Sequence, residues 1–205
     1  MQRERYLDAI KNRISQSEAG SVFVLSDFFD IADTDAVRKA ITRIESNKIL
    51  IRIMRGIYYK PEYSILLGEA IAPAPNAVAH ALARNYGWTI VPCGDTALNI
   101  LGLSTQVPSQ WVYVSDGPYK EYSFENTKIT FRHTTNKEIS KLSTKTALTV
   151  QALKALGKEN VTDAVITRIR KALSPEETIL MFMEARNVTS WIYEYIRMIC
   201  KGDIK

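Results

Sequence analysis

Apolar residues recur at helical spacing in the first sixteen positions: Tyr6, Ile10 and Ile14 stand four apart, with Ala9 beside them and Arg3, Arg5, Lys11 and Arg13 elsewhere. The spacing predicts an amphipathic helix ending near Ser17 and Gly20. Residues 21–25 form an apolar run too short for a helix and suited to a small strand. Ser26 and Asp27 then offer an N-cap for one or two turns through Phe28, Phe29 and Ile31. Ala32-Asp33-Thr34-Asp35 supplies capping side chains for a third helix, in which Val37, Ala40, Ile41 and Ile44 recur down to Asn47. Past Lys48 the period becomes that of a strand. Residues 49–54 and 57–60 flank Arg55-Gly56 and predict a β-hairpin, with Gly56 free to take a positive φ.

Three short helices followed by a hairpin match the winged helix-turn-helix arrangement, in which the third helix enters the major groove and the hairpin touches the flanking backbone. The rest of the chain reads as a different kind of body. An Ala-rich helix is expected over 77–86, a short strand over 89–92, and a helix opening at Gly94-Asp95-Thr96 and stopped by Gly102. Residues 111–115, 121–124 and 128–133 read as three antiparallel strands around Asp116-Gly117-Pro118 and Glu125-Asn126 turns. The last third is helical. Residues 148–156 end at Gly157, and Thr162 caps a helix whose Val165, Ile169, Ala172 and Leu173 face one way. Ser174-Pro175-Glu176-Glu177 is a capping box, and Asn187 stops that helix before a final one around Trp191, Ile192, Tyr195, Ile196 and Ile199.

The expected class is therefore α+β: a winged helix-turn-helix over 1–62, a small middle α+β domain with antiparallel strands over 63–137, and a helical C-terminal extension over 138–205. With 205 residues, 46% of them apolar and 24% charged, a folded core is expected and disorder is not. No run of about eighteen apolar residues occurs and the first residues lack the apolar stretch of a secretion signal, so neither a membrane span nor export is expected, and the location is read as cytoplasmic. Cys93 and Cys200 stand far apart without neighbours at metal-ligand spacing, which predicts buried thiols, no metal and no cofactor.

Charge sharpens the picture. The net +5 is uneven: residues 63–137 are balanced, whereas 35–60 alone carry seven Lys/Arg against Asp35 and Glu45. Arginine and lysine neutralise phosphates and release counterions, and with threonine they are also types that reach base edges. The candidate DNA-binding residues are Thr34, Arg38, Lys39, Thr42 and Arg43 on the third helix, with Arg52, Arg55 and Lys60 on or beside the hairpin. Asp35 and Glu45 are read as capping the helix or orienting an arginine. Arg168, Arg170 and Lys171 form a second basic cluster, read as a solvated face, a further backbone contact or a partner surface.

Catalysis finds little support. Gly94-Asp95-Thr96 lacks the lysine and glycine spacing of a phosphate loop, so Asp95 reads as a plain cap. His80 and His133 have no nucleophile spaced near them, and no carboxylate pair stands out. The chain is read as a non-enzyme.

The wing phrase Ile53-Met54-Arg55-Gly56-Ile57-Tyr58-Tyr59 and the phrase from Gly94 to Ser104, behind an opening winged helix, resemble the AbiEi-type antitoxins of type IV abortive-infection toxin-antitoxin systems. The likeness spans roughly residues 5–135, and the family's basic positions look similar to Arg38, Lys39, Arg43, Arg52 and Arg55. It implies an autorepressor of inverted-repeat promoter DNA, with a homodimer on that DNA as one arrangement. It also implies an antitoxin that counteracts a co-encoded nucleotidyltransferase-like toxin without a stable complex. The competing expectation is a protein-interaction module that sequesters a toxin or other partner directly, supported by the apolar final helix around Trp191 and Tyr195.

Overall fold

The computed structural model describes residues 2–64, 66, 68–134, 139 and 141–201; the boundary expected at 137/138 lies outside them. The protein is mixed α+β and divides into two compact units, Met1–Trp88 and Thr89–Lys205.

In the first unit α1 (Gln2–Gln16) leads through β1 (Val22–Val24) into a 3-10 turn, Leu25–Phe28. Ser26 and Asp27 do not cap an α-helix there. The turn begins two residues earlier, and the Asp27 carboxylate accepts from the Val24 N–H at 2.9 Å. Next comes α2 (Thr34–Ser46), whose N-cap Asp33 accepts from the backbone N–H groups of Asp35 and Ala36. At its C-terminus, Lys48 N–H reaches the Glu45 carbonyl and Ile49 N–H the Ile44 carbonyl, with Lys48 at φ 56. This left-handed exit turns the chain into the next strand.

The hairpin β2 (Ile51–Met54) and β3 (Ile57–Tyr59) closes around Arg55-Gly56, where Gly56 adopts φ 81. With β1 it makes a three-stranded antiparallel sheet in the order β1-β3-β2. Ile10 and Ile14 of α1, Phe23 and Phe28, and Val37, Ile41 and Ile44 of α2 close the core over this sheet. A small hairpin, β4 (Glu62–Tyr63) with β5 (Ala70–Ile71), leads into α3 (Pro75–Tyr86), which packs on β1 and β3 and so belongs to the first unit. The Ala-rich composition of α3 carries no mark of the sheet it covers, which is why the sequence grouped it with the middle segment.

The second unit holds a four-stranded sheet of β6 (Ile90–Pro92), β7 (Trp111–Ser115), β8 (Lys120–Phe124) and β9 (Thr127–His133), in the order β6-β7-β9-β8. β7 and β9 run parallel, from Trp111↔Ile129 to Ser115↔His133, which corrects the expectation of antiparallel strands throughout. The chain skips one lane after β7, and the Glu125-Asn126 turn returns β9 into the gap. Consecutive burial of Ile129, Thr130 and Phe131 marks β9 as an inner strand covered on both faces.

Before β7 stands α4 (Asp95–Ile100). Its N-cap is Gly94, not Asp95, and Thr96 Oγ1 accepts from Val112 N–H at 2.8 Å, tying the helix to β7. The helical part comprises α5 (Thr144–Leu156), α6 (Asp163–Lys171), α7 (Pro175–Glu184) and α8 (Ser190–Cys200). The capping box forms as expected: Glu177 N–H donates to Ser174 Oγ and Ser174 N–H to the Glu177 carboxylate. On α6 the buried positions are Ile166 and Ile169, while Ala172 is exposed. Cys93 and Cys200 are buried thiols that form no disulfide, and Cys200 Sγ donates to the Thr178 carbonyl at 3.5 Å.

Candidate nucleic-acid interface

Burying Val37, Ala40, Ile41 and Ile44 fixes the rotation of α2 and turns Thr34, Arg38, Lys39, Thr42 and Arg43 outward, all exposed. Thr42 donates its hydroxyl to the Arg38 carbonyl at 2.9 Å. Arg38 makes one ion pair, to Asp35 at 3.2 Å, with both side chains largely in solvent. Such an i,i+3 surface pair contributes only about 0.2–0.5 kcal/mol, so the guanidinium can exchange it for another anion at small cost. Asp35 thus orients an arginine, as its place in the sequence suggests.

Lys39 and Arg43 line an open groove of roughly 540 Å³ between α1 and α2, together with Tyr6, Leu7, Asp33 and Asp35. Lys39, Arg43, Arg52 and Arg55 have no carboxylate at ion-pair distance among the described residues. Arg55 occupies the exposed tip of the hairpin. Arg52 donates from Nε to the Met54 carbonyl at 3.3 Å, which folds it back along its own strand and leaves it exposed.

Tyr58 connects helix and hairpin. It packs against the core beneath α2 and lies directly across from Arg52 in the β2–β3 pairing. Burial pushes its phenol above the usual range, Arg52 and Arg38 pull it down and Glu45 pushes it up, so both arginines and Glu45 act on one ring. In the sequence Tyr58 stands within the wing phrase with nothing to mark this role. A simple two-residue hairpin would set Arg52 opposite Tyr59. An irregularity between Arg52 and Met54 shifts the register by one and brings Tyr58 there instead.

Other basic residues serve the fold. Lys60 is removed from the candidate set: its ammonium donates to the Ser15 and Ser17 carbonyls at 2.9 and 2.7 Å, closing the C-terminal end of α1. Arg13 makes two bonds to Asp30, at 2.7 and 2.6 Å, and Arg84 of α3 reaches Asp27 and the Val22 carbonyl. The second basic cluster is split by the position of Arg170. Arg170 donates to the Ile199 and Met198 carbonyls at 2.8 and 2.6 Å, whereas Arg168 lies beside Gly102 and Lys171 is exposed.

Half-buried His80 on α3 is held below the ordinary histidine range by burial and by Arg84. His133 donates from Nδ1 to the Gly117 carbonyl at 2.9 Å. Among the described residues no group of three His, Cys, Asp or Glu is placed to hold a metal ion, and no helix is long and apolar enough to cross a membrane.

A family model covering residues 9–180 matches the sequence; its description is a family of unknown function, DUF6088. The chain belongs to the DUF6088 family. No curated protein matches it. The DUF6088 match opens within α1 and closes within α7, so it contains α2, the hairpin and α6.

Proposed function

We propose that the first unit is a winged helix-turn-helix that binds duplex DNA, with α2 in the major groove and the β2–β3 hairpin as the wing. One observation carries the reading: the cations of α2 and of the hairpin stay exposed and, apart from the weak Arg38–Asp35 pair, have no carboxylate partner among the described residues, while Arg13, Lys60 and Arg84 of the same unit bind its own acceptors. Cations retained on two neighbouring elements suit a polyanion with a repeating phosphate spacing. Arg38, Lys39, Thr42 and Arg43 carry base and phosphate contacts, Thr34 a contact at the helix start, and Arg52 and Arg55 hold the wing to the flanking backbone or minor groove.

The resemblance of the wing phrase and of residues 94–104 to AbiEi-type antitoxins extends the proposal. In it the protein represses its own promoter and counteracts a co-encoded nucleotidyltransferase-like toxin in the cytoplasm, acting by binding and not by catalysis. One head reads about one half-site, so an inverted-repeat operator takes two.

The test is an electrophoretic titration of the duplex upstream of the gene. The intact chain retards it at submicromolar concentration, and Arg38→Ala with Arg43→Ala weakens retardation at least about thirtyfold, as removing two DNA-facing guanidinium groups worth about 1–3 kcal/mol each requires. Equal retardation by both proteins overturns the assignment of these residues.

A further inference from the structure

We infer that the outward face of α7 is a self-association surface that seats the same face of a second copy of this chain about a two-fold axis. Thr178 and Met181 point inward, with Ala185 just beyond the helix, and are fully buried. On the opposite side Ile179, Leu180 and Met183 are 56%, 44% and 60% exposed and form one stripe. Apolar side chains concentrated on a single helix face differ from the scattered exposure that a monomer surface normally shows.

The charges around the stripe decide what fits it. Glu177 is turned back into the capping box and Glu184 accepts from the Ser143 N–H and hydroxyl, so neither faces outward. Glu176 remains at the N-terminal end, exposed and accepting from the Ser174 hydroxyl, and Arg186 remains exposed just past the C-terminal end. The stripe is therefore negative at one end, apolar in the middle and positive at the other. A face of that kind is complementary to itself when two copies pack antiparallel. An axis level with Met181 sets Ile179 opposite Met183 of the second copy and Glu176 opposite its Arg186, about 15 Å apart along the helix. A different protein as partner would not require this internal symmetry.

Three large side chains expose less than the roughly 800 Å² per partner of a standard interface, so the pair is weak and forms in the micromolar range. Such a pairing suits two heads already side by side on a repeated operator. That use rests on the duplex-binding reading, whereas the sedimentation experiment contains no DNA and so fails or succeeds separately.

Sedimentation equilibrium of the full chain, from about one to several hundred micromolar, should show a mass rising from 23.2 kDa toward twice that value. Leu180→Lys should stay at one chain's mass with unchanged circular dichroism. Glu176→Arg and Arg186→Glu should each weaken pairing about tenfold, because each places like charges together twice in the dimer; the double swap should restore it to within about threefold. A single-chain mass for the intact protein at every concentration, growth beyond two chains, or a double swap no better than the single ones would each overturn the proposal.

Discussion

Two helices carry a run of cations in sequence, and the fold draws one cation of the second into its own structure while leaving those of the first in solvent. On α2, Arg38, Lys39 and Arg43 surround a buried stripe spaced so regularly that each of these cations is turned to solvent, and Asp35 holds only one of them loosely. On α6, Arg170 satisfies the last carbonyls of α8, and Arg168 lies beside Gly102. Arg168 and Arg170 are two residues apart, about 200° around a helix, so one cannot follow the other to a common surface. Charge density along the chain is similar in the two stretches. What separates Arg170 from the cations of α2 is that the folded unit supplies it with internal acceptors, and orphan carbonyls at helix ends are the acceptors that recur here.

The contrast can be broken most forcefully at Arg170. Replacing it with Ala removes two charge-assisted bonds to the end of α8 and should lower the stability of the second unit by about 2 kcal/mol, read by urea denaturation, while duplex affinity stays unchanged. If affinity falls and stability does not, α6 belongs to the interface after all. Lys60 offers the same comparison inside the first unit. Lys60→Met should cost about 1 kcal/mol of stability by removing the bonds to Ser15 and Ser17, with duplex affinity within about twofold of the intact chain.

The smallest expected effect lies at Asp30. Its bonds from Arg13 hold its carboxyl below the ordinary carboxylate range. A depressed folded value means that the pair's contribution is present above the unfolded pKa and is lost as pH falls through the folded one. Asp30→Asn should therefore change thermal stability slightly at neutral pH and remove part of the decline below about pH 4. An unchanged acid limb would show that the pair contributes nothing to folding.

Local chemistry was legible in the sequence wherever a few neighbouring residues decide the outcome. The stripe of α2, its Asp33 cap, the Arg55-Gly56 turn and the Ser174 capping box all appear where the spacing put them. What the sequence concealed was long-range. The parallel pairing of β7 with β9 depends on which lane the chain takes after a turn, and alternation of side chains encodes strand but not neighbour. The role of Lys60 depends on carbonyls 43 and 45 residues away, and that of Arg170 on carbonyls 28 and 29 away. Tyr58 reached its place opposite Arg52 through a one-residue irregularity that no residue type in the hairpin announces. Half of the candidate site, the rotation of α2, was thus written in periodicity; the other half, which cations remain available, was set by tertiary partners.

The most direct test of that availability is the salt dependence of duplex binding, compared among the intact chain, Arg38→Ala with Arg43→Ala, and Arg168→Ala with Lys171→Ala. The logarithm of affinity should fall steeply with the logarithm of salt concentration for the intact chain. The slope should become shallower by about 0.9 for each phosphate that α2 no longer neutralises, and stay the same for the α6 variant. Identical slopes for the intact chain and the α2 variant, or a shallower slope only in the α6 variant, would contradict the account.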